Sequence, residues 1–145
     1  MVCEMKRNNT EQLLNELMDS NDLSRVLSDN SACFREGDLP HGLQALFDQQ
    51  DMSKSALAKV SGISEVYLHQ VFSGRRTPSR DRLLCLCIGL GASTEETQSL
   101  LQQAHHAPLY ARDKRDAVLL FGLSHSLTLP EINDALFTAG AETLL

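Results

Sequence analysis

Glycine and proline are scarce in this 145-residue chain, eight and four residues, too few for the turn density of a β-rich fold. No alternating run of β-branched residues reads as a strand. No apolar run approaches the roughly 18 residues that span a bilayer. The N-terminus, MVCEMKRNNT, lacks the uninterrupted apolar segment of a signal peptide. The expectation is a cytoplasmic protein without membrane contact. The four cysteines, Cys3, Cys33, Cys85 and Cys87, do not have the spacing of a disulfide framework. Cys85 and Cys87 would point about 200° apart on a helix, away from any shared metal. Catalytic patterns are missing too: no nucleophile stands with a base in a motif, no paired acids appear, and no glycine-rich loop could cradle a phosphate. A non-enzymatic chain without cofactor or metal is expected. His105 and His106, read as helical neighbours, diverge by about 100° and have no further ligand at metal spacing, so they are read as structural or surface residues.

What is present is an ordinary globular composition, 42% hydrophobic and 22% charged, in a chain long enough to bury roughly two thirds of its unfolded surface. The net charge of −6 is unevenly spread. Residues 1–39 carry 4 basic and 8 acidic side chains, residues 92–145 carry 3 and 7, and residues 40–91 carry 6 and 4. A polyanion would be repelled by both flanks and tolerated only by the middle.

Every segment with clear periodicity has the helical kind, so an all-α fold is expected. The stripes Leu13, Leu14, Leu17, Met18 and Leu23, Val26, Leu27 mark two short amphipathic helices in a segment 1–38. Residues 39–101 hold four short helices up to Gly91, which reads as a C-terminal cap, followed by a helix entered through the capping-box pair Ser93 and Glu96. Residues 102–145 carry the apolar run RDAVLLFGLSHSL and a last helix opened by Thr128, Pro130 and Glu131. These are taken as an N-terminal helical extension, a central domain and a C-terminal helical extension.

Within the centre, a helix beginning after Ser64 places Tyr67, Leu68, Val71 and Phe72 within an arc of about 140°, the pattern of a packed face. The other arc holds Val66, His69, Gln70 and Ser73, with Glu65 at its edge. Such a small polar face fits the ~12 Å major groove. Arginines follow at once, at 75, 76, 80 and 82. Upstream, Leu57 and Ala58 sit where two helices would cross closely, and Gly62 supplies the turn.

The run KSALAKVSGISEVYLHQVFSG, Lys54 to Gly74, with Arg75-Arg76 and the Pro78-Ser79 helix entry, resembles the lambda-repressor-like, Cro-type helix-turn-helix regulators of the xenobiotic-response-element family. The resemblance covers about residues 40–101. It implies a five-helix domain docking its second helix-turn-helix helix in the major groove of double-stranded DNA, usually as a homodimer on a two-fold site. Carried over by position, Lys54 and Ser64 would hold phosphates near helix N-termini. Glu65, Val66, His69, Gln70 and Ser73 would lie on the groove-facing side, with Val66 suited to a thymine methyl and Gln70 to adenine. Arg75, Arg76 and Arg80 would clamp the backbone. A second reading, a helical adaptor whose helix-turn-helix binds protein, rests on Glu65 and the overall negative charge.

Overall fold

The computed structural model describes residues 10–31 and 38–144. The chain divides into two compact units, Met1–Gly37 and Asp38–Leu145. Among the described residues every regular element is helical.

In the first unit, α1 (Thr10–Asp19) and α2 (Leu23–Asp29) form a short hairpin. Asp22 caps α2 by accepting from the Arg25 amide at 3.2 Å. Asn30 closes it, its side-chain amide donating to the Val26 carbonyl at 2.9 Å. The apolar stripe of the hairpin, Leu14, Leu17, Met18, Leu23 and Leu27, lies exposed, while Val26 and Asn30 are buried. Cys3 and Cys33 lie outside the described residues.

The second unit holds α3 (Leu39–Asp48), α4 (Lys54–Ser61), α5 (Glu65–Phe72), α6 (Arg80–Leu90), α7 (Thr94–Gln103), α8 (Lys114–Ser124) and α9 (Leu129–Thr138). Each begins with a polar cap, in order Asp38, Ser53, Ser64, Ser79, Ser93, Asp113 and Thr128, whose side chain accepts from the amide three residues on. These caps satisfy amides that a helix start leaves orphaned, each worth about 1 kcal/mol. Both expected capping boxes, Ser93 with Glu96 and Thr128 with Glu131, are formed in both directions.

Helix α6 is the axis of this unit. Leu83, Leu84, Cys85, Leu86 and Cys87 are all fully buried, and a helix enclosed on every side needs no polar stripe. Helix α4 packs across it, and α5 packs on α4 and α3. The α4–α6 approach is close: a Cβ on Gly89 would collide with Ser61 Oγ and touch Leu57 Cδ1 at 3.2 Å. From the far side, Leu119, Ile132, Leu136 and Leu144 join the same buried cluster as Leu43, Leu57 and Leu68. Residues 102–144 therefore complete the core that α6 runs through.

His105 and His106 differ from expectation. Helix α7 ends at Gln103, and His105 adopts φ 60° in the turn beyond it, so the two imidazoles do not share a helix.

Candidate nucleic-acid interface

The local sequence builds the α4–α5 corner by hydrogen-bond closure at both ends. Gly62 takes the left-handed conformation at φ 69°, which lets the Ile63 amide reach back to the Ala58 carbonyl at 3.1 Å and stop α4. Two residues later Ser64 opens α5, its hydroxyl accepting from the Tyr67 amide at 3.1 Å. The α5 exit is wound around one carbonyl, Gln70 O, which accepts from Ser73 Oγ at 3.1 Å and from the Arg75 and Arg76 amides at 2.9 and 3.2 Å. Gly74, at φ 83°, makes that winding possible.

The two arcs of α5 separate as expected. Tyr67, Leu68, Val71 and Phe72 are buried; Glu65, Val66, His69 and Ser73 are exposed and Gln70 is half-buried. Val66, at 69% exposure, is an apolar side chain held in solvent on an otherwise polar face. Lys54, Val66, His69, Gln70, Ser73 and Arg75 line one open concavity floored by Phe72. Glu65 sits beside it, its carboxylate 3.5 Å from His69 Nε2.

The cations around this face are steered by aromatic rings. The Lys54 ammonium stands 4.8 Å over Phe72 and 5.8 Å from Phe47, and these two rings meet edge to face at 5.7 Å. The Tyr67 ring receives two guanidiniums, Arg76 at 5.3 Å and Arg82 at 4.5 Å. A cation over a ring keeps its charge and most of its donors outward while losing little freedom on binding.

Arg80 corrects the expected set. Its guanidinium turns inward and forms a fork with the buried carboxylate of Asp116, at 3.1 and 3.2 Å, and donates to the carbonyls of Ala107 and Pro108. Those donors are committed inside the protein and are not available to a phosphate. Arg82, two positions on and therefore on the far side of α6, takes the outward place beside Tyr67 and Ser64. The spacing shows that two arginines two apart at a helix start diverge, but not which of them faces outward.

A left-handed turn between two short packed helices, with a half-exposed second helix, is a helix-turn-helix, and the described residues around it are all helical or loop. A family model described as a helix-turn-helix domain matches residues 41–100, from α3 into α7. No curated protein and no solved structure matches the chain.

Proposed function

We propose that this protein is a cytoplasmic, sequence-specific DNA-binding transcriptional regulator of the lambda-repressor-like type, acting as a homodimer. Residues 39–101 carry its DNA-binding elements, and residues 102–144 complete the core they stand on. The observation that carries the reading is the exposed arc of α5, where Val66, His69, Gln70 and Ser73 share a concavity with Lys54 and Arg75, while Arg76 and Arg82 rest on Tyr67 of the same helix. Side chains of that size and polarity suit base edges in the major groove. The flanking cations suit the two phosphate rims, with Ser64 at the α5 entry.

The local charge supports this against the net charge of −6. Asp81 and Asp116 are each held in a fork by an arginine, and Glu65 is the acidic side chain of α5. Its place next to His69 gives the carboxylate a partner on α5 itself. The adaptor reading draws on the same glutamate and on the exposed apolar stripe of α1 and α2.

The deciding experiment is selection of duplex sequences by the purified chain, followed by titration of the enriched duplex at several salt concentrations. Affinity should fall steeply with salt, about 0.9 counterions being released per neutralised phosphate. Absence of any enriched sequence, or an association insensitive to salt, would favour the adaptor.

A further inference from the structure

Two arginine–aspartate forks cross between the same two helix starts. Arg80 and Asp81 open α6; Arg115 and Asp116 lie in the first turn of α8. Arg80 donates to both oxygens of Asp116 at 3.2 and 3.1 Å, and Arg115 donates to both oxygens of Asp81 at 2.9 and 3.1 Å. Neither guanidinium stops there. Arg80 holds the Ala107 and Pro108 carbonyls at 2.9 and 3.2 Å, and Arg115 holds those of Glu142 and Thr143 at 2.8 and 3.2 Å. Asp116, only 6% exposed, also accepts from the Tyr110 amide at 3.0 Å. The segment 107–110, the start of α8 and the C-terminal tail are thus fastened to two consecutive residues of α6.

Those two residues end the loop 74–79, which follows α5 and carries Arg75 and Arg76. Within the loop itself, Arg76 rests over the Tyr67 ring at 5.3 Å. Arg75, Arg76 and Thr77 are exposed, and Pro78 alone among residues 74–79 is buried. Its front end is tied to the Gln70 carbonyl. Its rear end is tied at Pro78, whose carbonyl accepts from His106 Nε2 at 2.8 Å, and at Arg80. Both rear ties lead to residues beyond α7.

We infer that the crossed forks are a positioning device for DNA binding, by which the C-terminal segment 106–143 sets the height and direction of Arg75 and Arg76 against the phosphate backbone. This rests on the reading of α5 as the DNA-binding helix. Arg80, Asp81, Arg115 and Asp116 are positioning residues and make no DNA contact themselves. Bidentate, partly buried charge pairs fix geometry more than they add stability. The two forks together allow one placement of α8 on α6. Anything that shifts α8 and the tail should therefore alter DNA affinity without touching the DNA-facing side chains.

The test uses the full chain. Asp116→Asn keeps the shape of the side chain and an acceptor for Tyr110 but removes the charge that binds Arg80. Amide exchange over residues 75–79, measured without DNA, should accelerate about tenfold or more. Affinity for the enriched duplex should fall about three- to tenfold, with the salt slope reduced by about one phosphate. Helix content and affinity-independent solubility should stay unchanged. The second fork supplies an independent arm that leaves Arg115 on the Glu142 and Thr143 carbonyls: Asp81→Asn should weaken binding about three- to tenfold, and Asp81→Glu, which keeps the charge for Arg115, should stay within about twofold of the parent. This pair carries the test if the Asp116 variant does not fold. Unchanged affinity and salt slope in the folded Asn variants, or equal losses in Asp81→Asn and Asp81→Glu, would overturn the device while leaving DNA binding in place. If the parent chain binds no duplex at any salt, the DNA reading falls and this inference falls with it.

Discussion

At the scale of single residues, the proposed DNA-binding role of α5 predicts a division between reading and holding. Gln70→Ala should cost about 1–3 kcal/mol at one base-pair position and relax the preference there, with binding to unrelated sequence nearly intact. Neutralising Arg75, Arg76 or Arg82 should weaken binding to every sequence alike and lower the salt slope by about one for each. A competition titration against single-position operator variants separates the two outcomes. A shift in base preference on losing Arg75, with none on losing Gln70, would mean that the face is wrongly assigned. The two arcs were legible in the sequence because a helix of known start has a fixed 100° step. The direction of Arg80 was not, since it is decided by Asp116, 36 residues away, and no local pattern reports that partner.

The two thiols of α6 give a second prediction at this scale. Burial pushes the Cys87 thiol up to about 12, and burial, with the nearby Asp81 charge, pushes Cys85 up to about 11, from an ordinary value of 9.0. The fold thus favours the protonated form of both. Their contribution to stability is complete below about pH 9 and is lost as pH rises from there through 11 to 12. In a Cys3→Ser, Cys33→Ser background, the urea midpoint should drop between pH 8 and pH 10.5. A further Cys87→Ala change should flatten that dependence even though it lowers the midpoint itself. Equal slopes with and without Cys87 would show that alkaline destabilisation arises elsewhere.

Among the helices, the starts and stops were readable and the α4–α6 crossing was not. Ser64, Ser93, Thr128, Gly62 and Gly91 act on amides and carbonyls within a few residues of themselves, so their pattern is local. The α4–α6 contact depends on two small residues 28 positions apart, and Gly89 is an ordinary mid-helix glycine until Ser61 is placed against it. Gly89→Ala should therefore cost about 1–3 kcal/mol by overpacking, beyond any gain in helix propensity. Pairing it with Ser61→Gly should recover part of the loss. Ser61 Oγ is buried without a hydrogen-bond partner, so Ser61→Ala alone should be neutral or stabilising, because no bond is lost. Thermal denaturation of the three variants distinguishes crossing from propensity: a stabilised Gly89→Ala chain would show that α4 and α6 have room to part. On α5, Phe72→Ala should cost about 3–5 kcal/mol and abolish DNA binding only through unfolding, since Phe72 packs on Phe47 and floors the concavity.

For the whole molecule, the break placed after residue 101 followed the extent of the resemblance, and a motif's extent reports sequence pattern, not burial. Burial crosses that point. Leu119, Ile132, Leu136 and Leu144 are fully enclosed in the cluster that holds Leu43, Leu57, Leu68 and Leu83. Burying one such side chain is worth about 1.5–3 kcal/mol, and a domain of this size holds only about 5–15 kcal/mol in total. A chain ending at residue 101 loses all four, exposes their partners on α6, and also strips Arg80 and Asp81 of their charges' counterparts. It should show helical circular dichroism without a cooperative thermal transition and should not retain the salt-dependent duplex affinity of the full chain. A chain beginning at residue 38 keeps the entire second unit and should unfold cooperatively. If the 1–101 chain instead melts sharply and binds DNA with the parent salt slope, then α8 and α9 are an appendage, and the forks at the start of α6 have no part in holding Arg75 and Arg76.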